Sequence, residues 1–170
     1  EAVSRFCRRF RDEPVNRRRG SGGANFLRAS PTMSQKSWYR DGLRFECTGC
    51  GDCCTGEPGY VWVTKREVAQ MAAHLGIGVL DFTTKFTRRV GRRLSLIEMP
   101  GGDCVFFNRI EQRCKVYPVR PLQCQTWPFW ASNLKNAAAW DQTCRACPGA
   151  GRGPLHTAAK IATLAASRRV

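Results

Sequence analysis

Four cysteines within eight residues give this sequence its strongest chemical signal. Cys47, Cys50, Cys53 and Cys54 lie in the stretch FECTGCGDCCTG and follow the pattern C-x-x-C-x-x-C-C. A C-x-x-C turn lets two sulfur atoms converge on one centre, and the intervening glycines ease the backbone path. Three cysteines at this spacing are also typical of ferredoxins, although their fourth cysteine lies farther along and precedes proline. The stretch therefore predicts a metal or iron–sulfur site.

Cys54 breaks the regular spacing of this motif. Neighbouring Cα atoms are about 3.8 Å apart, and successive side chains diverge in both strands and helices. Equivalent bonds from all of these cysteines to one ion would therefore strain the loop. We expect one member of the Cys53–Cys54 pair to turn to a different centre. The segment then builds two linked sites, or one site with a reserve thiol.

More cysteines follow farther along the chain: Cys104, Cys114, Cys124, Cys144 and Cys147. Cys7 lies in an Arg-rich segment and is not expected to be a ligand. Nine cysteines then remain out of ten, which fits two four-ligand sites with one cysteine left over. Cys144 is the best candidate for an ordinary buried cysteine. The sequence does not reveal which four group together.

Cysteine content and chain length favour metal binding over disulfides. Ten cysteines in 170 residues amount to roughly 6%, less than in short secreted disulfide scaffolds. The sequence has no apolar run long enough to cross a membrane and no secretory signal. We therefore expect the reducing cytoplasm, or an organelle if the Arg-rich N-terminus is a transit segment. Clustered thiols in such compartments hold metal more often than they pair.

The formal net charge of +15 is spread unevenly. Residues 1–32 carry eight Arg against three acidic residues, and we expect a disordered basic segment there. Met33 is a plausible initiator methionine. Residues 33–170 are expected to form the cysteine-cluster metal-binding domain. Excess positive charge can attract nucleic acid. Alternatively, it offsets the charge of thiolates, because four of them around one zinc ion leave a net charge of −2.

Helix signals are clearest in the middle of the chain. Thr64 followed by Glu67 forms a capping box, and the helix that begins there should end at Gly76. A strand is expected just before it, over 58–64. A second helix is predicted over 80–90, with Gly91 as its stop.

Strand signals follow, and a final helix ends the chain. Segments 92–99 and 104–108 are predicted to pair as a hairpin around the Pro-Gly-Gly turn, with a short third strand over 113–117. A helix is predicted over 156–167. The fold class is therefore α+β: a small antiparallel β-sheet packed with three or four helices around a cysteine-rich core. Bound metal is expected to cross-link this core. Without its ions, a core of this size should be marginally stable.

These motifs together resemble the YkgJ-type cysteine-cluster family, also described as the CxxCxxCC or zinc- or iron-chelating domain. The opening motif of that family matches FECTGCGDCCTG. Its second motif matches CKVYPVRPLQC, through Cys114, Tyr117, Arg120, Pro121 and Cys124. Cys104 matches a strand cysteine after a glycine turn, and Cys147 matches a Cys-Pro-Gly motif. The resemblance covers about 33–155, and one departure is Gln125, where the family usually has Arg.

The resemblance implies a set of metal ligands: Cys47, Cys50, Cys53, Cys54, Cys104, Cys114, Cys124 and Cys147. Tyr117 and Arg120 are expected to contact the cofactor. The Arg120 guanidinium can donate hydrogen bonds to sulfur or to a carbonyl, and it offsets thiolate charge. Alternatively, it pairs with a carboxylate such as Asp52 or Glu57. Nearby aromatic residues, among them Trp127 and Trp130, are expected to keep the site dry.

Three functions remain open from the sequence. The leading hypothesis is a thiolate-rich protein that binds metal ions, either zinc or an iron–sulfur cluster, with zinc slightly favoured. The second is a redox or protein-modification enzyme that uses a cluster or a free thiol, since some relatives occur alongside flagellin lysine methylation. His74 and His156 lie far from the cysteines in sequence, so a Cys–His pair has weak support. The third is a nucleic-acid-binding adaptor.

Overall fold

The computed structural model describes residues 37–56 and 59–167. The expected basic segment over 1–32, Met33, Cys7 and Glu57 lie outside these residues. Within them, no helix has both the length and the apolar character needed to cross a membrane.

The described residues combine short strands with short helices, which confirms the predicted α+β class. The strands are β1 (Leu43–Phe45), β2 (Val61–Val63), β3 (Thr87–Val90), β4 (Arg93–Leu96), β5 (Phe107–Asn108), β6 (Arg113–Cys114) and β7 (Ala150–His156). The helices are α1 (Lys65–His74), α2 (Val79–Phe86), α3 (Leu122–Gln125), α4 (Ala137–Ala146) and α5 (Ala158–Ser167). Two short 3₁₀ turns cover Asp52–Cys54 and Tyr117–Val119.

The strands form three separate antiparallel sheets rather than one. The largest has the order β2-β4-β3, and the others pair β1 with β7 and β5 with β6. Such small sheets cannot enclose a core by themselves, because a two-stranded ribbon is only marginally stable alone. The long loops between them must therefore be held by packing and by side-chain hydrogen bonds.

The capping box predicted for the first helix is confirmed. The Thr64 side chain accepts a hydrogen bond from the backbone N–H of Glu67, and the Glu67 carboxylate accepts one from the N–H of Thr64. Val68, Met71 and Ala72 of α1 are buried. Gly76 adopts a left-handed φ of 68° just after the helix, as expected of a glycine that ends a helix.

The prediction of one helix over 80–90 is wrong in its last part. Helix α2 ends at Phe86, and Thr87–Val90 pairs with β4 as strand β3. Gly91, with a φ of 57°, lies in the hairpin turn between these two strands rather than at a helix end. The pairing with β4 satisfies the backbone groups of this segment, so tertiary structure overrides the local helical pattern.

The predicted hairpin between 92–99 and 104–108 is also largely wrong. The two segments share one isolated bridge, between Glu98 and Cys104, together with the hydrogen bond from Val105 N to Ile97 O. Strand β5 pairs with β6 instead, so Phe107 lies opposite Cys114. The predicted third strand is likewise shorter than expected, because residues 117–119 form a 3₁₀ turn.

Strands β1 and β7 and helices α3 and α4 were not predicted. Segment 150–156 has glycines and a proline and lacks the apolar alternation of a strand, so its pairing with β1 gives it that conformation. His156 belongs to β7, and α5 begins only at Ala158.

Two hydrophobic clusters support the site. The first packs α1 and α2 against the inner face of the β2-β4-β3 sheet and contains Val63, Val68, Met71, Ala72, Phe82, Leu96, Phe106 and Val116. The second lies beneath α4, β7 and α5 and contains Phe129, Leu134, Trp140, Cys144, Cys147, Ala150 and Ile161. Cysteines lie in or against both clusters, since Cys104 and Cys114 pack against the first and Cys147 belongs to the second.

Candidate metal centre

The opening cysteine motif forms a tight loop between β1 and the 3₁₀ turn Asp52–Cys54. Gly51 has a φ of 83°, a conformation that favours glycine. A Cβ atom added there would also overlap the ring of Phe107 in β5. Gly51 therefore lets the motif pack directly against the hairpin that carries Cys114.

Cys104 is bound to the opening motif through the backbone. Its N–H donates a hydrogen bond to the carbonyl oxygen of Cys54, with 2.8 Å between the two atoms. Across the β5–β6 hairpin, Lys115 N donates to Phe106 O at 2.8 Å and fixes the strand that carries Cys114. These hydrogen bonds bring three separate chain segments together at the same side of the first hydrophobic cluster.

Cys124 lies on the four-residue helix α3, which is held in place by the Glu67 side chain of α1 and by hydrogen bonds between the Gln123 side chain of α3 and the backbone of residues 60 and 62. Glu67 accepts a hydrogen bond from Leu122 N at 2.7 Å through its second carboxylate oxygen. The Gln123 side chain accepts a hydrogen bond from Trp62 N at 3.1 Å and donates one to Tyr60 O at 2.7 Å. It therefore satisfies backbone groups at β2 as a neighbouring strand would. A helix this short has little stability of its own, so these contacts fix the position of Cys124.

Cys147 follows directly after α4 and is buried. Trp127 Nε1 donates to its sulfur at 3.4 Å. Glu46 N donates to Gly149 O at 3.2 Å, and a Cβ atom added at Gly149 would overlap the Glu46 carbonyl. The glycine of the Cys-Pro-Gly motif is therefore needed for the close approach of Cys147 to the segment that carries Cys47.

The eight cysteines predicted as ligands line two adjoining cavities. The inner cavity is lined by Cys54, Cys104, Cys114 and Cys124, and the outer cavity by Cys50 and Cys147. Four side chains line both cavities and form their common boundary: Phe45, Cys47, Cys53 and Trp127. The fold therefore gathers distant cysteines, as the motifs predicted.

The donor set of both cavities suits a thiophilic metal. All eight cysteines are free thiols, Asp52 of the outer cavity is the only carboxylate that lines either cavity, and no histidine among the described residues does so. Cysteine thiolates are the ligands of structural zinc and of iron–sulfur clusters. As the side chains stand, no three Cys, His, Asp or Glu groups in residues 37–56 and 59–167 lie close enough together to hold an ion.

Burial keeps the inner thiols protonated in the metal-free protein. It raises the pKa of Cys104 to about 11 and the pKa of Cys124 to about 12. Burial also raises the pKa of Cys114. A buried thiolate is costly without a counter-charge, so a cation would favour the ionised form of each of these groups.

Cys53 and Cys54 differ in their tendency to ionise. Their sulfur atoms are 3.9 Å apart. The hydrogen bond between them lowers the pKa of Cys53 to about 7 and raises the pKa of Cys54, where burial adds to the effect. The exposed Cys53 is therefore the more readily ionised member of the pair.

Tyr117 and Arg120, predicted to contact the cofactor, both line the inner cavity. Arg120 donates from Nη1 to Tyr117 O at 2.8 Å, and its guanidinium lies 4.0 Å from the centre of the Tyr117 ring. The positive charge of Arg120 opposes the effect of burial on the pKa of Cys114. Arg120 was expected to donate to a sulfur, a carbonyl or a carboxylate, and the structure shows a hydrogen bond to a carbonyl.

The remaining candidates lie away from both cavities. His74 is exposed at the end of α1, and His156 has its Nε2 atom 3.1 Å from Phe45 O. Cys144 is 1% exposed in the second hydrophobic cluster, but it is disulfide-bonded and therefore not the ordinary buried thiol that was predicted. Sequence reasoning did not identify Gln123 as a residue that positions Cys124, nor Glu67 as the acceptor for Leu122 N. No local motif indicates either contact.

Residues 46–148 match the family CxxCxxCC, described as "Putative zinc- or iron-chelating domain". The match spans more than half of the chain, so the protein belongs to this family of zinc- or iron-chelating domains. The resemblance drawn from the motifs is thereby confirmed.

Among curated proteins, the chain is similar to uncharacterized protein MJ0661 of Methanocaldococcus jannaschii. The two are 31% identical over 91 residues, which cover 54% of this chain and 48% of that protein. The chain thus matches about half the length of this relative. No solved structure matches the chain.

Proposed function

We propose that this protein binds zinc or an iron–sulfur cluster through thiolates of the eight cysteines that line the two cavities. One observation carries this proposal: the fold collects these cysteines from five segments of the chain, on the opening loop, near β4, on β6, on α3 and after α4. Metal binding would require the sulfur atoms to draw closer together than they now lie. Zinc is slightly favoured, because the motif lacks the fourth cysteine of ferredoxins.

Tyr117 and Arg120 support this function at the wall of the inner cavity. Arg120 supplies a permanent positive charge beside several thiols, and four thiolates around a divalent ion leave a net negative charge. The ring of Tyr117 holds the guanidinium by stacking. When bound, the metal supplies cross-links between chain segments and, as an iron–sulfur cluster, redox chemistry. The eight free thiols of the cavities favour a reducing compartment such as the cytoplasm, whereas the disulfide at Cys144 does not.

Anaerobic purification followed by metal and labile-sulfide analysis tests this function. We expect zinc and no labile sulfide. Iron with labile sulfide and absorbance near 400 nm would instead show that the protein binds an iron–sulfur cluster. A chain that contains neither metal, and that does not take up zinc or iron when reduced, would contradict the proposal.

A thiol enzyme is the second candidate, and Cys53 is the observation that favours it. Cys53 is exposed, and its pKa of about 7 gives it more thiolate at neutral pH than an ordinary cysteine has. No histidine among the described residues lines either cavity, so no Cys–His pair is found there. Rapid alkylation of Cys53 in the metal-loaded protein would favour this candidate, because a ligand sulfur should be protected.

Nucleic-acid binding rests on the net charge of +15. Two aromatic rings at or just before β2 already stack on each other and on arginine side chains. Tyr60 stacks on Trp62 at 4.8 Å, Arg88 lies over Tyr60 at 5.1 Å, and Arg93 lies over Trp62 at 3.9 Å. These existing contacts disfavour stacking of a base on either ring, and retention on RNA at about 0.2 M salt tests this candidate.

A further inference from the structure

We propose, on the basis of the function proposed above, that the cysteines form two separate four-thiolate centres and that only the outer one exchanges its ion readily. The inner centre would consist of Cys54, Cys104, Cys114 and Cys124. The outer centre would consist of Cys47, Cys50, Cys53 and Cys147. The division falls between the neighbours Cys53 and Cys54, and both centres would take divalent thiophilic cations.

The inner set is the better defined of the two. Its members line the inner cavity and not the outer one. The hydrogen bond from Cys104 N to Cys54 O fixes two of them, and the β5–β6 hairpin fixes Cys114. Four ligands complete a tetrahedral zinc site, so this set needs no further cysteine.

The outer set follows from the side chains that remain. Cys50 and Cys147 line the outer cavity and not the inner one. The backbone hydrogen bond between Glu46 and Gly149 holds the segments of Cys47 and Cys147 side by side. Cys47 and Cys53 line both cavities, and because the inner set is already complete, they supply the two ligands that the outer set lacks.

The boundary between the two centres passes between adjacent thiols. Cys53 and Cys54 are consecutive residues of the 3₁₀ turn with sulfur atoms 3.9 Å apart, and of the two only Cys53 also lines the outer cavity. Phe45 and Trp127 also line both cavities and would separate the two ions with apolar surface.

The two sets differ in their access to solvent. In the outer set Cys47 and Cys53 are exposed, Cys50 is half-buried and Cys147 is buried, whereas each of the four inner cysteines is half-buried. A chelator can therefore approach the outer ion from the side of Cys47 and Cys53, while removal of the inner ion requires local opening of the fold. The outer centre is thus the part of the molecule suited to accept or deliver a metal ion, and the inner centre stabilises the fold.

Zinc stoichiometry and release kinetics test this division. The full chain is reduced, loaded with zinc alone under anaerobic conditions, and mixed with a chromogenic chelator. With eight ligand cysteines and four per tetrahedral site, we expect about two zinc ions per chain and two release phases of equal amplitude. The double variant Cys50→Ser/Cys147→Ser should lose the fast phase and retain one ion. The double variant Cys104→Ser/Cys114→Ser should lose the slow phase.

Controls separate the division from the underlying function. His74→Ser, which changes an exposed residue outside both cavities, should leave both phases unchanged. Because the inner variant can fail to fold, cobalt spectra of the outer variant give a second readout: tetrahedral thiolate bands should persist at half intensity. Loss of all zinc from the outer variant, or from Cys53→Ser alone, would overturn the division and leave metal binding intact. A chain that binds no zinc would overturn both.

Discussion

The backbone N–H of Cys104 lies 2.8 Å from the carbonyl oxygen of Cys54 and donates a hydrogen bond to it. This hydrogen bond joins the last cysteine of the opening motif to a cysteine in the segment between β4 and β5. It holds Cys54 beside Cys104 in the inner cavity, whereas Cys53 lines the outer cavity as well. The central idea of two centres depends on this contact.

Glu67 should affect metal binding, whereas its capping partner should not. Thr64→Ala removes the cap and should cost about 1 kcal/mol of unfolding free energy. Glu67→Ala also leaves Leu122 N without its acceptor, which should cost about 1–3 kcal/mol more and weaken inner-site zinc affinity about tenfold or more. Denaturant unfolding and zinc competition measure the two effects. Equal zinc affinities in the two variants would show that Glu67 does not position Cys124.

Gln123→Glu should destabilise the protein through one buried contact. The new carboxylate can still accept from Trp62 N, but it cannot donate to Tyr60 O. An unpaired buried carbonyl facing a negative charge should cost about 1–3 kcal/mol. The exposed Gln142→Glu adds the same charge without this contact and serves as the control. Thermal unfolding compares them, and identical midpoints would contradict the assigned role.

Gly149→Ala should damage the outer centre selectively. Its Cβ would overlap the Glu46 carbonyl, so the segments of Cys47 and Cys147 would have to move apart. Gly78→Ala is the matched control, because its Cβ would meet its nearest neighbour, Asp81, only at 3.4 Å. We expect the fast zinc-release phase to be lost or accelerated in Gly149→Ala alone. An unchanged fast phase would show that this close approach does not build the outer centre.

Zinc affinity should rise with pH. The pKa values of Cys104 and Cys124, about 11 and about 12, mean that both thiols are protonated at neutral pH in the metal-free fold. Zinc binds thiolates, so each bound ion displaces protons, and the apparent association constant should increase about tenfold per pH unit for each proton released. Conversely, binding weakens as the pH falls.

Calorimetry in buffers of different ionisation enthalpy counts these protons. Cys53, with a pKa of about 7, is partly ionised beforehand and should contribute less than one proton. Cys53→Ser should therefore reduce proton release less than Cys104→Ser does. Zinc binding that is independent of pH would contradict the protonated state of the inner thiols.

Local signals explain which parts of the fold the sequence predicted. The Thr64–Glu67 capping box and the glycine after α1 act within one helix, so both were found. Segment 87–90 has a helical pattern and becomes a strand only because β4 lies beside it. Likewise, β7 depends on its pairing with β1, for which 150–156 shows no alternation. Non-local pairing of this kind leaves no trace in a single segment.

The candidate site shows the same contrast. Motif spacing identified the eight cysteines that line the two cavities, whereas the divergence expected at the Cys53–Cys54 pair stays a prediction. The hydrogen bonds that place Cys124 come from Glu67 and Gln123, and each joins residues far apart in the chain. Their grouping into cavities depends on packing around Phe45 and Trp127, which spacing does not encode.

X-ray absorption at the metal edge of anaerobically purified protein tests thiolate ligation most directly. For zinc, the account predicts a first shell of about four sulfur atoms at about 2.3 Å. For iron, it predicts a sulfur shell with a second shell of iron, as in a cluster. A first shell made mainly of nitrogen or oxygen atoms would contradict it.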